Sequence, residues 1–192
     1  MKIYTRRGDR GESGLLSGER LSKDDLRFQA VGALDELQSQ LGVVRALTVS
    51  PRHKTLVYAI QKNLFVAGTE LAVTSPSLHG LSRRLGPEDI RQVETWIDEL
   101  SEQYGLPGRF VVPGRSLEGA ATHVARSVCR RCERSIVALN RQEGGAYADL
   151  IAYFNRLSDL FFVVAWSFDV RKTVEQTLSE VLSGALAGAT TP

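Results

Sequence analysis

The chain has 192 residues, which suits one domain with a sizeable core and is short for two. Apolar residues make up 43% and charged residues 24%, an ordinary globular balance, and the formal charge of only +2 lacks the Lys/Arg excess of a general nucleic-acid binder. No apolar run is long enough to span a membrane, and "MKIYTRRGDR" lacks the apolar core of a secretory signal; neither nucleic acid nor membrane is an expected partner, and the expected compartment is cytoplasmic.

The first segment, "YTRRGDRGESG" (residues 4–14), combines arginines with glycines and has no apolar run to bury. Glycines let backbone N–H groups approach a ligand and arginines supply charge, so the segment reads either as an anion cradle or as a frayed terminus. "SKDDLRFQAVGALDELQSQLGVVRAL" opens with Ser22 and Asp25 at capping-box spacing, and Leu34, Leu37, Leu41 and Val44 recur at helical spacing, predicting a helix over 24–47. Gly32 and Gly42 inside it suggest close approach by a neighbouring helix or a ligand. Ser50 and Pro51 start a second helix that is expected to reach residue 73.

"SPSLHGLSRRLG" reads as a mobile polar connection, and Pro87 opens a third helix that stops at Gly105. After a Pro/Gly-rich crossing, "LPGRFVVPGRS", Ser116 caps a fourth helix to about residue 140. "ADLIAYFNRLSDLFFVVAWSFDV" is a fifth, strongly apolar helix; a weaker helix and a loosely structured tail over 172–192 are expected to follow it. Strand alternation is confined to residues 2–5 and 110–112. The expected fold is therefore all-α, a single-domain bundle of five long helices behind an extended N-terminal segment, residues 1–23.

On a helical wheel of the fourth helix, Arg126, Arg130, Glu133 and Arg134 share an arc with His123. Ala125, Val128, Cys129, Cys132, Ile136 and Leu139 occupy another arc, and Arg131 falls outside both. The charged arc is either the wet side of a bundle helix or an anion site, because arginines at i, i+4 and i+8 repel unless acids or an anion neutralise them. Asp35 on the first helix, or a phosphate chain, would serve as partner. In the fifth helix "NRLSD" places Asn155 and Asp159 on one face, as a structural hydrogen-bond cluster or as part of a binding site. The Cys129/Cys132 pair has no second Cys pair to complete a metal site, and both cysteines fall on the apolar arc.

Taken together, "YTRRGDRGESGLLSGERLSKDD", "GALDELQSQLG", "FVVPG", "HVARSVCRRCER" and "FNRLSDLFFVVA" resemble, in order and spacing, the motifs of PduO-type ATP:cob(I)alamin adenosyltransferases, from residue 2 to about 171. The resemblance implies a five-helix bundle that assembles as a homotrimer with active sites at subunit interfaces. The implied reaction transfers the adenosyl group of ATP to cob(I)alamin and releases triphosphate. By motif, Thr5, Arg6, Arg7, Gly8, Ser13 and Gly14 wrap the phosphates with Lys23, and Arg130, Arg131, Glu133, Arg134 and Asn155 complete the nucleotide site. Asp35 matches an aspartate that pairs with the arginine matched by Arg126, on the corrinoid side and at the subunit interface. Phe110 matches an aromatic residue that helps exclude the lower axial ligand of the corrinoid. Catalytic weight then falls on Arg130, Asn155 and Phe110, and Mg²⁺ is expected through the ATP phosphates rather than on side chains.

That mechanism fits what the sequence lacks, because Co(I) is itself the nucleophile and no Ser, Cys or His with an activating base is needed. The implied partners beyond ATP, cob(I)alamin and copies of the chain are a cobalamin reductase and an adenosylcobalamin-dependent acceptor enzyme. Departures from the family pattern fall at Val31, Arg115, Cys132 and Trp166, with Ser13 in place of the usual threonine. The alternative reading is an ATP-binding regulatory or chaperone-like bundle without turnover. A P-loop phosphotransferase is excluded, since "GDRGESG" lacks the GK[ST] ending and no βαβ pattern follows it.

Overall fold

A computed structural model describes residues 3–189 of the chain, with side chains to Ser183. Five α-helices carry the fold: α1 (Leu26–Leu47), α2 (Pro51–Leu71), α3 (Pro87–Tyr104), α4 (Leu117–Gln142) and α5 (Ala148–Ala189). Helix α1 packs on α2 and α4, α4 packs on α5, and α5 packs on α3. Two polar bonds also tie α2 to α5, His53 Nε2 with Ser167 Oγ at 2.9 Å and Asn63 Nδ2 to Tyr153 Oη at 3.3 Å.

The first half of α5 is apolar around most of its circumference, and Tyr153, Phe154, Leu157, Leu160, Phe161 and Val164 are all buried. A helix of that kind takes the centre of a bundle, where every face has a neighbour. Cys129 and Cys132 lie in the same core as free thiols, and burial pushes Cys132 up to about 12. Both are small core residues, as their arc predicts.

Helix ends follow local chemistry with one change. Asp25, not Ser22, is the N-cap of α1, its carboxylate accepting from Arg27 N–H at 2.8 Å, because Ser22 is already committed to a strand. Ser116 caps α4 by accepting from Gly119 N–H at 3.0 Å, and is itself held by buried Asp169. Gly32 and Gly42 have no neighbouring helix within 4 Å of a notional Cβ; the close approach of α1 and α2 is at Gly68, whose Cβ would stand 3.2 Å from Leu34 Cδ2.

Three connections differ from expectation. Residues 75–86 are tied down, with a 3₁₀ turn at Ser75–Gly80, buried Leu78 and Leu85, and fully buried Glu70 accepting from Arg84 Nε and Leu85 N–H. Residues 3–5 and 110–112 are not strands, and Lys2 lies outside the described residues. Strands form instead at β1 (Glu12–Gly14) and β2 (Arg20–Ser22), an antiparallel hairpin whose loop turns at Gly18 with φ of 101°. Finally, α5 continues without a break past residue 171 to Ala189, and its described side chains from Val174 onward are exposed.

Candidate functional site

Residues 6–23 of the N-terminal segment fold into a curl and a hairpin. The β1–β2 hairpin is clipped to the end of α2 by Leu16 N–H on Ala72 C=O at 2.8 Å, and Leu15 is buried beneath it. Residues 6–11 curl back on the hairpin, with Gly11 N–H donating to Gly8 C=O at 3.2 Å and Lys23 N–H donating to Gly11 C=O at 2.8 Å. Arg20, to which the sequence assigned no role, holds the curl by donating from Nη2 to Arg7 C=O at 2.9 Å and pairing with Glu12. Arg6 takes a positive φ of 61°, and Thr5 Oγ1 accepts from Arg7 N–H.

Within this curl Lys23 Nζ comes 3.1 Å from the point where a Cβ on Gly8 would stand, so the missing side chain is what admits the ammonium. Ser13 and Lys23 border a cavity of about 660 Å³ that is walled by α1 and α2 and includes Gly32 and exposed Asp35. Cationic groups, a hydroxyl and backbone N–H groups thus gather on one exposed turn, the composition of an anion cradle.

The second group lies on α4 and α5. Asn155 Nδ2 donates to Glu133 Oε1 at 3.3 Å, Arg156 Nη1 donates to Asn155 Oδ1 at 2.8 Å, and Arg156 Nε pairs with Glu94 on α3 at 3.0 Å. The carboxylate on the charged arc is therefore engaged with an amide and not with an arginine. Arg130 and Arg134 stay exposed, with no hydrogen bond or ion pair to any described residue. Arg131 pairs with Glu36 on α1, so the acid of α1 that meets an arginine of α4 is Glu36 and not Asp35.

A third group surrounds Phe110. Its ring is fully exposed at the rim of a cavity of about 1040 Å³ between the 106–113 loop, α3, α4 and α5. Arg126 lies in that wall, with its guanidinium carbon 5.8 Å from the Phe162 ring centroid and its Nε buried without a hydrogen-bond partner among the described residues. His123 packs edge-on to the same ring at 6.2 Å, and burial chiefly, against the opposing effect of Asp169, holds its pKa below the ordinary value. Phe162 is the residue that sequence reasoning passed over here; its only signal was membership of the "FNRLSDLFFVVA" motif. Asp159 borders the same cavity.

The N-terminal group does not meet the other two within one chain, whereas His123 of the third group and Arg134 of the second border one further cavity. No hydrogen bond or ion pair among the described residues joins the 3–23 segment to Arg130, Glu133, Arg134 or Asn155. Asp35 and Arg126 border different cavities. No cluster of three or more His, Cys, Asp or Glu side chains suited to a metal is present among the described residues, and no described helix is long and apolar enough to cross a membrane.

Residues 3–168 match the family described as cobalamin adenosyltransferase. The chain is 44% identical over 164 residues to a corrinoid adenosyltransferase of Citrobacter freundii, covering 85% of this chain and 93% of that one. It is 35% identical over 192 residues to the corrinoid adenosyltransferase PduO of Salmonella typhimurium, of whose length it spans 57%. A solved structure of a variant PduO-type ATP:corrinoid adenosyltransferase from Lactobacillus reuteri, complexed with cobalamin and ATP, is similar with a TM-score of 0.82 and 32% identity, covering 88% of this chain and 93% of that one.

Proposed function

Given that the chain belongs to the cobalamin adenosyltransferase family, we propose that it transfers the 5′-deoxyadenosyl group of ATP to the cobalt of cob(I)alamin, yielding adenosylcobalamin and triphosphate. The observation that carries this reading is the set of cations left without acids, Lys23 over Gly8 and the exposed Arg130 and Arg134 beside the Asn155–Glu133 pair. Such groups are poised for a polyanion, and no activated Ser, Cys or His stands among them.

In the reaction a cobalt(I) electron pair forms the bond to the ribose C5′ as the C5′–O bond breaks, and the electrons leave with the triphosphate. The protein's task is alignment and stabilisation of the charge that builds on the departing oxygen. Thr5, Arg6, Arg7, Gly8, Ser13, Gly14 and Lys23 cradle the phosphates; Arg130 and Arg134 neutralise them, and Asn155, steadied by Glu133 and Arg156, orients the nucleotide. Arg131, which pairs with Glu36, supports the α1–α4 contact beside this site. Mg²⁺ held through the ATP phosphates would add further neutralisation of their charge.

The cradle and the arginine face meet between copies in a homotrimer, the hairpin of one copy facing α4 of the next. Support comes from exposed Asp35 and the guanidinium of Arg126, neither of which has a hydrogen bond or ion pair to any described residue; the two would pair across that interface. The cavity at Phe110 takes the corrinoid, with Phe110 beside cobalt in place of the lower axial ligand.

The test is direct. Purified protein with ATP, Mg²⁺ and chemically reduced cobalamin should form light-sensitive adenosylcobalamin and one triphosphate per turnover. Nucleotide binding with neither product would instead favour a regulatory bundle.

A further inference from the structure

Phe110 borders two cavities. Besides the one assigned to the corrin ring there is a second, of about 620 Å³, between residues 107–115 and the stretch of α5 from Trp166 to Val174. Two of the positions at which the chain departs from the family pattern, Arg115 and Trp166, are far apart in sequence and come together in this second cavity.

Its chemistry is specific. Trp166 presents an indole whose Nε1 is buried without a hydrogen-bond partner among the described residues. Arg115 donates from Nη1 to Thr173 Oγ1 at 2.7 Å and keeps its other N–H groups uncommitted, while Arg109 has no hydrogen bond or ion pair to any described residue. The carboxylate in the wall, Asp169, is 2% exposed, accepts from Ser116 N–H and Oγ–H, and makes no ion pair with Arg109 or Arg115. Val112, Val170 and Val174 supply apolar surface. An aromatic plane, apolar walls and two guanidinium groups suit a flat heterocycle that carries a phosphodiester.

Cobalamin contains such a group in its lower-ligand tail, a benzimidazole on a ribose joined through a phosphodiester to the corrin ring. With Phe110 beside cobalt the base loses its place on the metal, yet it remains covalently tethered, and the second cavity lies within reach across the same ring. We infer that the cavity of Arg115 and Trp166 receives the displaced nucleotide tail, its base against Trp166 and its phosphodiester between Arg109 and Arg115. The tail then stabilises the base-off corrinoid, and these side chains set a preference for corrinoids that carry a tail. This inference rests on the adenosyl-transfer reading above.

The experiment compares cob(I)alamin with cob(I)inamide, which has the corrin ring and no nucleotide tail, in the unaltered protein, Arg115→Gln and Trp166→Phe. Arg115 is exposed, so its replacement leaves folding intact. The ratio of kcat/KM for cob(I)alamin over cob(I)inamide should fall about tenfold in Arg115→Gln, through KM, as expected for loss of a charge-assisted contact. Trp166→Phe should lower it less, since a ring remains. Direct titration with cob(II)alamin and cob(II)inamide should show the same divergence in Kd. A ratio unmoved in both variants, or an equal loss on both corrinoids, overturns the assignment. No turnover of either corrinoid by the unaltered protein would overturn the adenosyl-transfer reading itself.

Discussion

Lys23 Nζ stands 3.1 Å from the position a Cβ on Gly8 would take, which makes the bare backbone at residue 8 the seat of the ammonium. Lys23→Ala should raise KM for ATP about tenfold or more, by removing a charge-assisted contact to phosphate. Gly8→Val, by pushing the lysine aside, should produce a smaller rise in the same direction. Steady-state kinetics at saturating corrinoid decide; an unchanged KM in Lys23→Ala would place the phosphates elsewhere.

Arg130 is exposed and bonded to no described residue, so removing it costs the fold nothing. Arg130→Ala should retain the thermal midpoint of the unaltered protein while kcat falls by about 100-fold or more, the scale seen when one charge-stabilising donor is lost. Single-turnover formation of adenosylcobalamin, with a melting curve alongside, reads both quantities. Full activity in this variant would remove Arg130 from the site.

Asp35 and Arg126 border separate cavities and have no bond to each other within one chain. If they meet between copies, Asp35→Arg alone should weaken assembly and corrinoid use together, and adding Arg126→Asp should restore both in part. Light scattering coupled to gel filtration reports the mass. Assembly untouched by the single charge reversal would rule out the pairing.

His53 is 1% exposed, seated between Ser50 and Ser167, and burial, followed by the charges of Arg171 and Arg52, lowers its pKa to about 4. The folded value lies below the ordinary 6.5, so between about pH 6.5 and 4 the unfolded chain binds the extra proton. Stability from this group is therefore complete above pH 6.5 and is lost as pH falls toward 4, by on the order of 3 kcal/mol. Urea unfolding at pH 7.5 and pH 4.5 should show the loss, and His53→Gln should reduce it. An equal slope in the variant would assign the loss to other groups.

Much of the architecture was legible because it is locally encoded. Pro51, Pro87 and Ser116 start helices at the places their chemistry predicts, and the apolar arc of α4 is the arc that is buried. The hairpin was not legible, since residues 12–22 carry no alternating apolar pattern and the pairing of Glu12 with Ser22 depends on a turn and on the edge of α2. Nor was buried Arg27, which bonds Tyr147 Oη at 2.7 Å, Glu143 at 2.6 Å and Leu71 C=O at 3.2 Å; all three partners are distant in sequence, and the first two lie more than a hundred residues away.

By itself the sequence determined the residue types: a Gly/Arg segment able to cradle an anion, a helix bearing arginines on one face, and an apolar final helix that must be central. Tertiary structure decided which of those groups are free to act. Glu133 is taken by Asn155 and Arg131 by Glu36, while Arg130 and Arg134 stay open. Arg115 and Trp166 share a cavity that no spacing in the chain announces. The reason is physical: a side chain's intrinsic chemistry is local, whereas its freedom to bind a ligand depends on neighbours that only the packed helices bring within hydrogen-bonding distance.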